Sequence, residues 1–214
     1  MNDSPTRLPG TPLLNVSRTL PCGIRGAGER IMTFGVRQFE LALMHRMRDL
    51  AAARVEDALK GMGATRAELR QAHTRWTAMA HSARAPKGRR AFLAALGPPA
   101  YEGERRVGSL TCDVARWALP SWPGLRFEVL SGPGGEVWNQ WFVRPGGGRA
   151  VPFAELTPWS CVVADVGAGF PGASHLEGAA PHHWTVGFAH EGAHYRARFV
   201  YGLHQRLDRA DDDY

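Results

Sequence analysis

Lysine is almost missing from this 214-residue chain. Lys60 and Lys87 stand alone against 24 arginines. Beside 25 glycines and 15 prolines, this imbalance points to the coding bias of a GC-rich bacterial genome. An arginine here is therefore not by itself a sign of selected chemistry. Cysteine is scarce as well. Cys22, Cys112 and Cys161 lie far apart and form no CxxC pair, which excludes a disulfide framework or zinc ribbon and predicts reduced thiols in a cytoplasmic protein. No run of about 18 apolar residues is present, so no membrane-spanning helix is expected. The N-terminus has no continuous apolar segment of the secretory kind. A G-x-S-x-G elbow and a G-x-x-x-x-G-K-[ST] phosphate loop are both lacking.

What remains is an ordinary globular composition, 44% hydrophobic and 21% charged, in a chain long enough to bury a core without staples. The charge is unevenly spread. Residues 32–100 carry a net +7 and residues 101–214 a net −3, within a total of +6. Such asymmetry fits either attraction between the two halves or an anionic partner for the first.

Residues 1–31 read as a disordered extension, broken by Pro5, Pro9, Pro12 and Pro21. Gly28-Glu29-Arg30-Ile31 can be encoded by a purine-rich, ribosome-binding-like stretch directly before Met32. Translation starting at Met32 is therefore a second expectation for this segment, and intact mass distinguishes the two. Residues 32–214 are expected to form one α+β domain: 32–119 mainly helical and basic, 120–205 mainly antiparallel strands, 206–214 a frayed acidic tail.

Phe39, Leu43, Met47, Leu50, Val55 and Leu59 make one apolar stripe, predicting a long helix over 36–60. Gly61 and Gly63 supply a stop. Thr65-Arg-Ala-Glu68 is a capping box opening a second helix, striped by Leu69, Ala72, Trp76 and Met79, that ends near Ser82. The two make an αα-hairpin. Leu110, Val114 and Trp117 suggest one more short helix.

Strands are predicted at 125–130 and 137–143 around Ser131-Gly-Pro-Gly-Gly135, then weakly at 150–156, and at 160–166. The clearest hairpin places Glu191-Gly192 in a two-residue turn, pairing Phe188 with Tyr195, Val186 with Ala197 and Trp184 with Phe199. The expected fold is an N-terminal αα-hairpin packed against a C-terminal antiparallel sheet of about five strands.

Four features bear on chemistry. His190-Glu191-Gly192-Ala193-His194 matches the zinc-peptidase H-E-x-x-H, with His190 and His194 as ligands and Glu191 as base. The hairpin register, however, sends the two histidines to opposite faces, so no metal or other cofactor is expected and the zinc hydrolase is kept only as an alternative. Gly167-Ala-Gly169-Phe-Pro-Gly172 matches G-x-G-x-x-G, yet Pro171 and Pro181 leave no room for the helix a dinucleotide needs, so it reads as a loop. Trp138 and Trp141 point to opposite faces of one strand, so one of them is expected to line a groove or meet a partner protein. Finally Arg84, Lys87, Arg89 and Arg90, following a helix with Arg66 and Arg70, are the candidate phosphate contacts. The leading expectation is a non-enzymatic binding or regulatory protein whose basic helical half meets an anionic partner, nucleic acid first. A pocket-containing enzyme built on the Trp- and His-rich C-terminal half is the alternative.

Overall fold

The structure, a computed structural model, describes residues 34–176 and 180–210. The expectations for residues 1–31, for a start at Met32 and for the acidic run 211–213 lie outside the described residues.

The apolar stripe of the first helix is real, but it belongs to two helices. α1 spans Val36–Met47 and α2 spans Ala52–Met62. Leu50 and Val55 are five residues apart, more than one helical turn, and the chain absorbs that phase slip by leaving the helix. The amides of Leu50 and Ala51 both donate to Met47 O, at 3.1 and 3.0 Å, and the helix restarts at Ala52. Gly63 then ends α2 in the left-handed conformation (φ 57°), with Ala64 N donating to Leu59 O at 2.8 Å.

α3, Arg66–His81, opens on the predicted box: Glu68 N donates to Thr65 Oγ1 and Thr65 N donates to Glu68 Oε2. α3 packs on α1, with Phe39 edge-on to Trp76 at 5.1 Å. α4, Arg89–Leu96, turns the same way on its buried Phe92 and Ala95 and stops before Pro98-Pro99.

Strands begin earlier than expected. β1 (Tyr101–Val107) and β2 (Leu110–Trp117) form a hairpin across Gly108-Ser109, which corrects the short helix read from Leu110, Val114 and Trp117. Leu110 and Val114 are an even number apart, so they share a strand face just as they could share a helix face. The turn decides, because Gly108 adopts φ 60° and closes the hairpin. β3 (Arg126–Ser131) and β4 (Val137–Val143) complete a four-stranded antiparallel meander. One face of it lies under the helices. Phe39, Phe92, Phe127 and Phe142 interlock there, Phe39 to Phe127 at 5.2 Å and Phe127 to Phe142 at 5.3 Å.

The remaining chain builds a second layer pair. The weak strand expected at 150–156 is instead a single 3-10 turn, Phe153–Glu155. The strand expected at 160–166 is α5, Val163–Gly169, and only Val162 keeps a bridge, to Leu203. The reason is Asp165, a polar residue inside a short apolar run. Its carboxylate accepts the Val162 amide at 3.0 Å and so caps a helix. The G-x-G-x-x-G glycines therefore lie at the end of α5 and just past it, not at a helix start.

A second meander follows: β5 (Ser174–Leu176), β6 (His183–His190), β7 (Ala193–Val200) and β8 (Leu203–Ala210). The β6–β7 register is the predicted one, pair for pair, with Glu191 at φ 48° and Gly192 at φ 76° in the turn. Residues 206–210, expected within a frayed acidic tail, instead pair with β7 as part of β8. The protein is thus α+β with two four-stranded antiparallel sheets, where one sheet of about five strands was expected. The β7–β8 turn ties the halves together: Phe142 N donates to Tyr201 O at 2.7 Å. Gly202 (φ 69°) sits where a Cβ would lie 3.2 Å from Phe142 O, so the close approach needs glycine.

Candidate functional site

Among the described residues, α1 to α4 pack together with one side of the first sheet. Its other side carries Tyr101, Arg105 and Val107 from β1, Leu110, Val114 and Arg116 from β2, Glu128 and Leu130 from β3, and Trp141 from β4, all in phase by the pairing register. Tyr101, Val107 and Leu110 are 48%, 41% and 45% exposed, large values for such side chains. Trp138, 42% exposed, is the fourth of this kind. Simple alternation puts Trp138 and Trp141 on opposite faces of the strand. A register shift intervenes, because Ser131 pairs with Val137 while Leu130 pairs with Asn139. Trp138 is thus the extra residue of a bulge, and both indoles stay out of the helix-facing core. Trp141 packs on Cys112, Val114 and Leu130.

At the centre of this open face is a fully buried carboxylate. Glu128 is 0% exposed, held by Arg105 (2.8 Å) and by Nε of Arg116 (2.7 Å). Arg105 also lies 5.8 Å from the Trp141 ring and Arg116 lies 4.7 Å from the Tyr101 ring. Two arginines around one acid leave a net positive charge on an aromatic surface.

Where β4 meets the second half, this face deepens into a cavity of about 680 Å³. Trp141 and Trp184 line it together with Arg105, Arg116, Arg144 and His175. Arg144 is tied to the buried Asp165 through Nε and Nη2, at 2.8–3.1 Å. Burial alone would raise the Asp165 pKa. The hydrogen bonds from Arg144, Arg149 N and Val162 N outweigh it and hold the carboxyl below its usual range.

The six basic residues singled out in the sequence have different surroundings. Arg66 is paired with Glu56 at 2.7 Å and Arg89 with Glu102. Lys87 Nζ donates to Ala80 O at 2.6 Å and Met79 O at 3.3 Å, neutralising the last carbonyls of α3. Gly88 (φ 55°) could not carry a Cβ, which would fall 2.2 Å from Gly135 O. Arg89 N donates to that same carbonyl at 3.1 Å, so the Lys87–Arg89 segment is stitched to the β3–β4 turn. Arg70, Arg84 and Arg90 are exposed. Lys87, Arg89 and Arg90 also border a groove that includes Asp113 and Glu136, so its charge is mixed.

His190, Glu191 and His194 occupy the end of β6, the turn and β7. His190 pairs with Ala193 and His194 with Ala189, adjacent positions whose side chains alternate across the sheet. His190 stacks on Phe153 at 4.3 Å. Among the described residues no group of three or more His, Cys, Asp or Glu is placed to hold a metal ion. Cys112 and Cys161 are buried and unpaired, and burial pushes the Cys161 thiol up to about 11.

One cluster had no signal in the sequence. His45 on α1 and His73 on α3 stack at 4.1 Å, their planes 9° apart. Burial, the other imidazole and the nearby Arg48 and Arg46 lower His45 to about 4. His73 is lowered too, by burial first and then by Arg46 and Arg48. Only helix packing brings residues 28 apart in sequence face to face.

No family model matches this chain. No curated protein sequence matches it either. Among solved structures, a proposed beta-lactamase inhibitor protein from Streptococcus mutans is similar over 61% of this chain and 86% of its own, with 13% identity and a TM-score of 0.26. At that score the likeness carries no argument about fold or function.

Proposed function

We propose that this chain is a binding protein that recognises another protein through the open face of its first sheet. The observation that carries this reading is the gathering of Tyr101, Val107 and Leu110, each more than 40% exposed, on one face beside Trp141. Several large apolar side chains left exposed on one sheet face mark a candidate interaction site. Tyr, Trp and Arg are also the residue types that dominate binding energy. The partner surface is apolar with acidic residues, because Arg105 and Arg116 outnumber Glu128 on this face. A second copy would set like charges against each other. Photo-crosslinkers placed at Leu110 and, as control, at Arg70 test it in cells. Protein adducts from position 110, lost in Tyr101→Ala and absent from position 70, are expected. Self-association through position 110, or adducts from position 70 alone, would overturn the reading.

A second reading, nucleic acid on the helical surface, is favoured by the exposure of Arg70, Arg84 and Arg90 in the segment of greatest positive charge. Binding of single-stranded and duplex oligonucleotides would then weaken steeply with salt. Replacing Arg84 and Arg90 by Ala would lower affinity without changing the melting temperature. Replacing Lys87 and Arg89 would lower the melting temperature instead. No binding at low salt removes this reading.

A further inference from the structure

We propose that the cavity between β4, α5 and β6 binds a small aromatic monocarboxylate. This does not depend on the partner reading. The volume of about 680 Å³ lies within the range of small-molecule sites, roughly 300–1,000 Å³. Two indoles, Trp141 and Trp184, supply flat apolar surface, and Val143 and Val162 add to it. Three guanidiniums, Arg105, Arg116 and Arg144, line the space, and no Asp or Glu does so among the described residues.

Charge decides the class of ligand. Behind the cavity wall, Glu128 and Asp165 are both fully buried and neutralise two of the three arginines. With His175 counted as neutral, one positive charge remains, which matches a monoanion and not a phosphate dianion. Geometry agrees. Arg116 meets Glu128 through Nε, which leaves its terminal nitrogens to a ligand. A guanidinium edge offers parallel N–H groups at the spacing of a carboxylate. The aromatic part of such a ligand would lie against the indoles, where stacking adds to burial.

The cavity can be filled from its own wall by one substitution. Gly167 lies on α5 and lines the space, and a Cβ there meets nothing within 4 Å. Gly167→Leu therefore fills the cavity while raising helix propensity.

Calorimetric titration of the full chain tests the proposal with four probes: naphthalene-1-acetate, its neutral amide, acetate and 1-naphthyl phosphate. Naphthalene-1-acetate is expected to bind with Kd below about 1 mM. The amide and acetate should each be weaker by about tenfold or more, because each lacks one half of the recognition. Indole N–H signals of Trp141 and Trp184 should shift on binding. Gly167→Leu should abolish the heat of binding and leave the melting temperature unchanged or higher. Arg116→Gln should weaken binding by about tenfold, with circular dichroism confirming that it folds. Failure of naphthalene-1-acetate to bind, equal binding of the amide, tighter binding of the naphthyl phosphate, or full binding by folded Gly167→Leu would each overturn the proposal.

Discussion

The two halves of the molecule use the same plan with different means. Each runs from helix into a four-stranded antiparallel meander. In the first half, four helices cover one face of the sheet and bury interlocking aromatic rings. In the second, among the described residues, α5 with its C-cap Phe170 and a 3-10 turn cover it, over Val186, Phe188 and Phe199. The uncovered faces differ more. On the second sheet, Thr185, Arg196, Arg198, Arg206 and Asp208 share the outer side, and Arg198 and Arg206 each meet Asp208 at 2.7 Å. That stretch of the face is polar and ion-paired. On the first sheet, the outer side is aromatic and aliphatic around one buried acid. Of two sheets of equal size in one chain, the one whose outer face keeps large exposed apolar side chains is the one we propose as the interaction surface.

The largest way to test this contrast is to attack what holds the halves. Phe127→Ala, at the centre of the first core, should cost about 3–5 kcal/mol in urea unfolding. Asp165→Ala should come close to it, about 3–5 kcal/mol, because it strands Arg144 and frees the Arg149 and Val162 amides. If Asp165→Ala unfolds the second half separately, two transitions will replace one.

Acid should sharpen the comparison next. The imidazoles of His45 and His73 are held neutral in the fold by burial and by arginines. The unfolded chain takes up protons near 6.5, whereas folded His45 resists until about 4. The unfolded state then binds more protons, so stability present above pH 6.5 is lost as pH falls toward 4. His182, His183 and His204, also lowered by burial, add in the same direction. Glu40, raised by burial, opposes them only near its own range. Urea midpoints at pH 7.5 and 5 should differ, and His45→Asn should flatten the difference.

The smallest stability effects should come from the uncovered faces, and there function should separate them. Leu110→Ser and Arg198→Ala should each change stability by about 0.5 kcal/mol or less. Leu110→Ser should lower protein capture, and Arg198→Ala should not. Equal loss from both would erase the distinction between the two faces.

Local chemistry made part of this legible beforehand. The Thr65 capping box, the Gly63 stop and the β6–β7 register follow from sidechain-to-backbone bonds and period-two patterning, which act within a few residues. The α+β class follows from the same patterns. Where a short apolar run lacked a turn signal, as at 110–117 and 160–166, periodicity could not separate helix from strand. There, Gly108 and the Asp165 cap decided. Only tertiary structure split one expected sheet into two, because strand pairing across long separations leaves no local pattern. It also sorted the arginines by their surroundings. Identical side chains became a helix cap's neighbour, an ion-pair partner or a cavity wall according to which carboxylate or carbonyl the fold brought within reach. Sequence determined the elements, and long-range contacts decided which of their faces remained uncovered, because burial is a property of the whole packed chain.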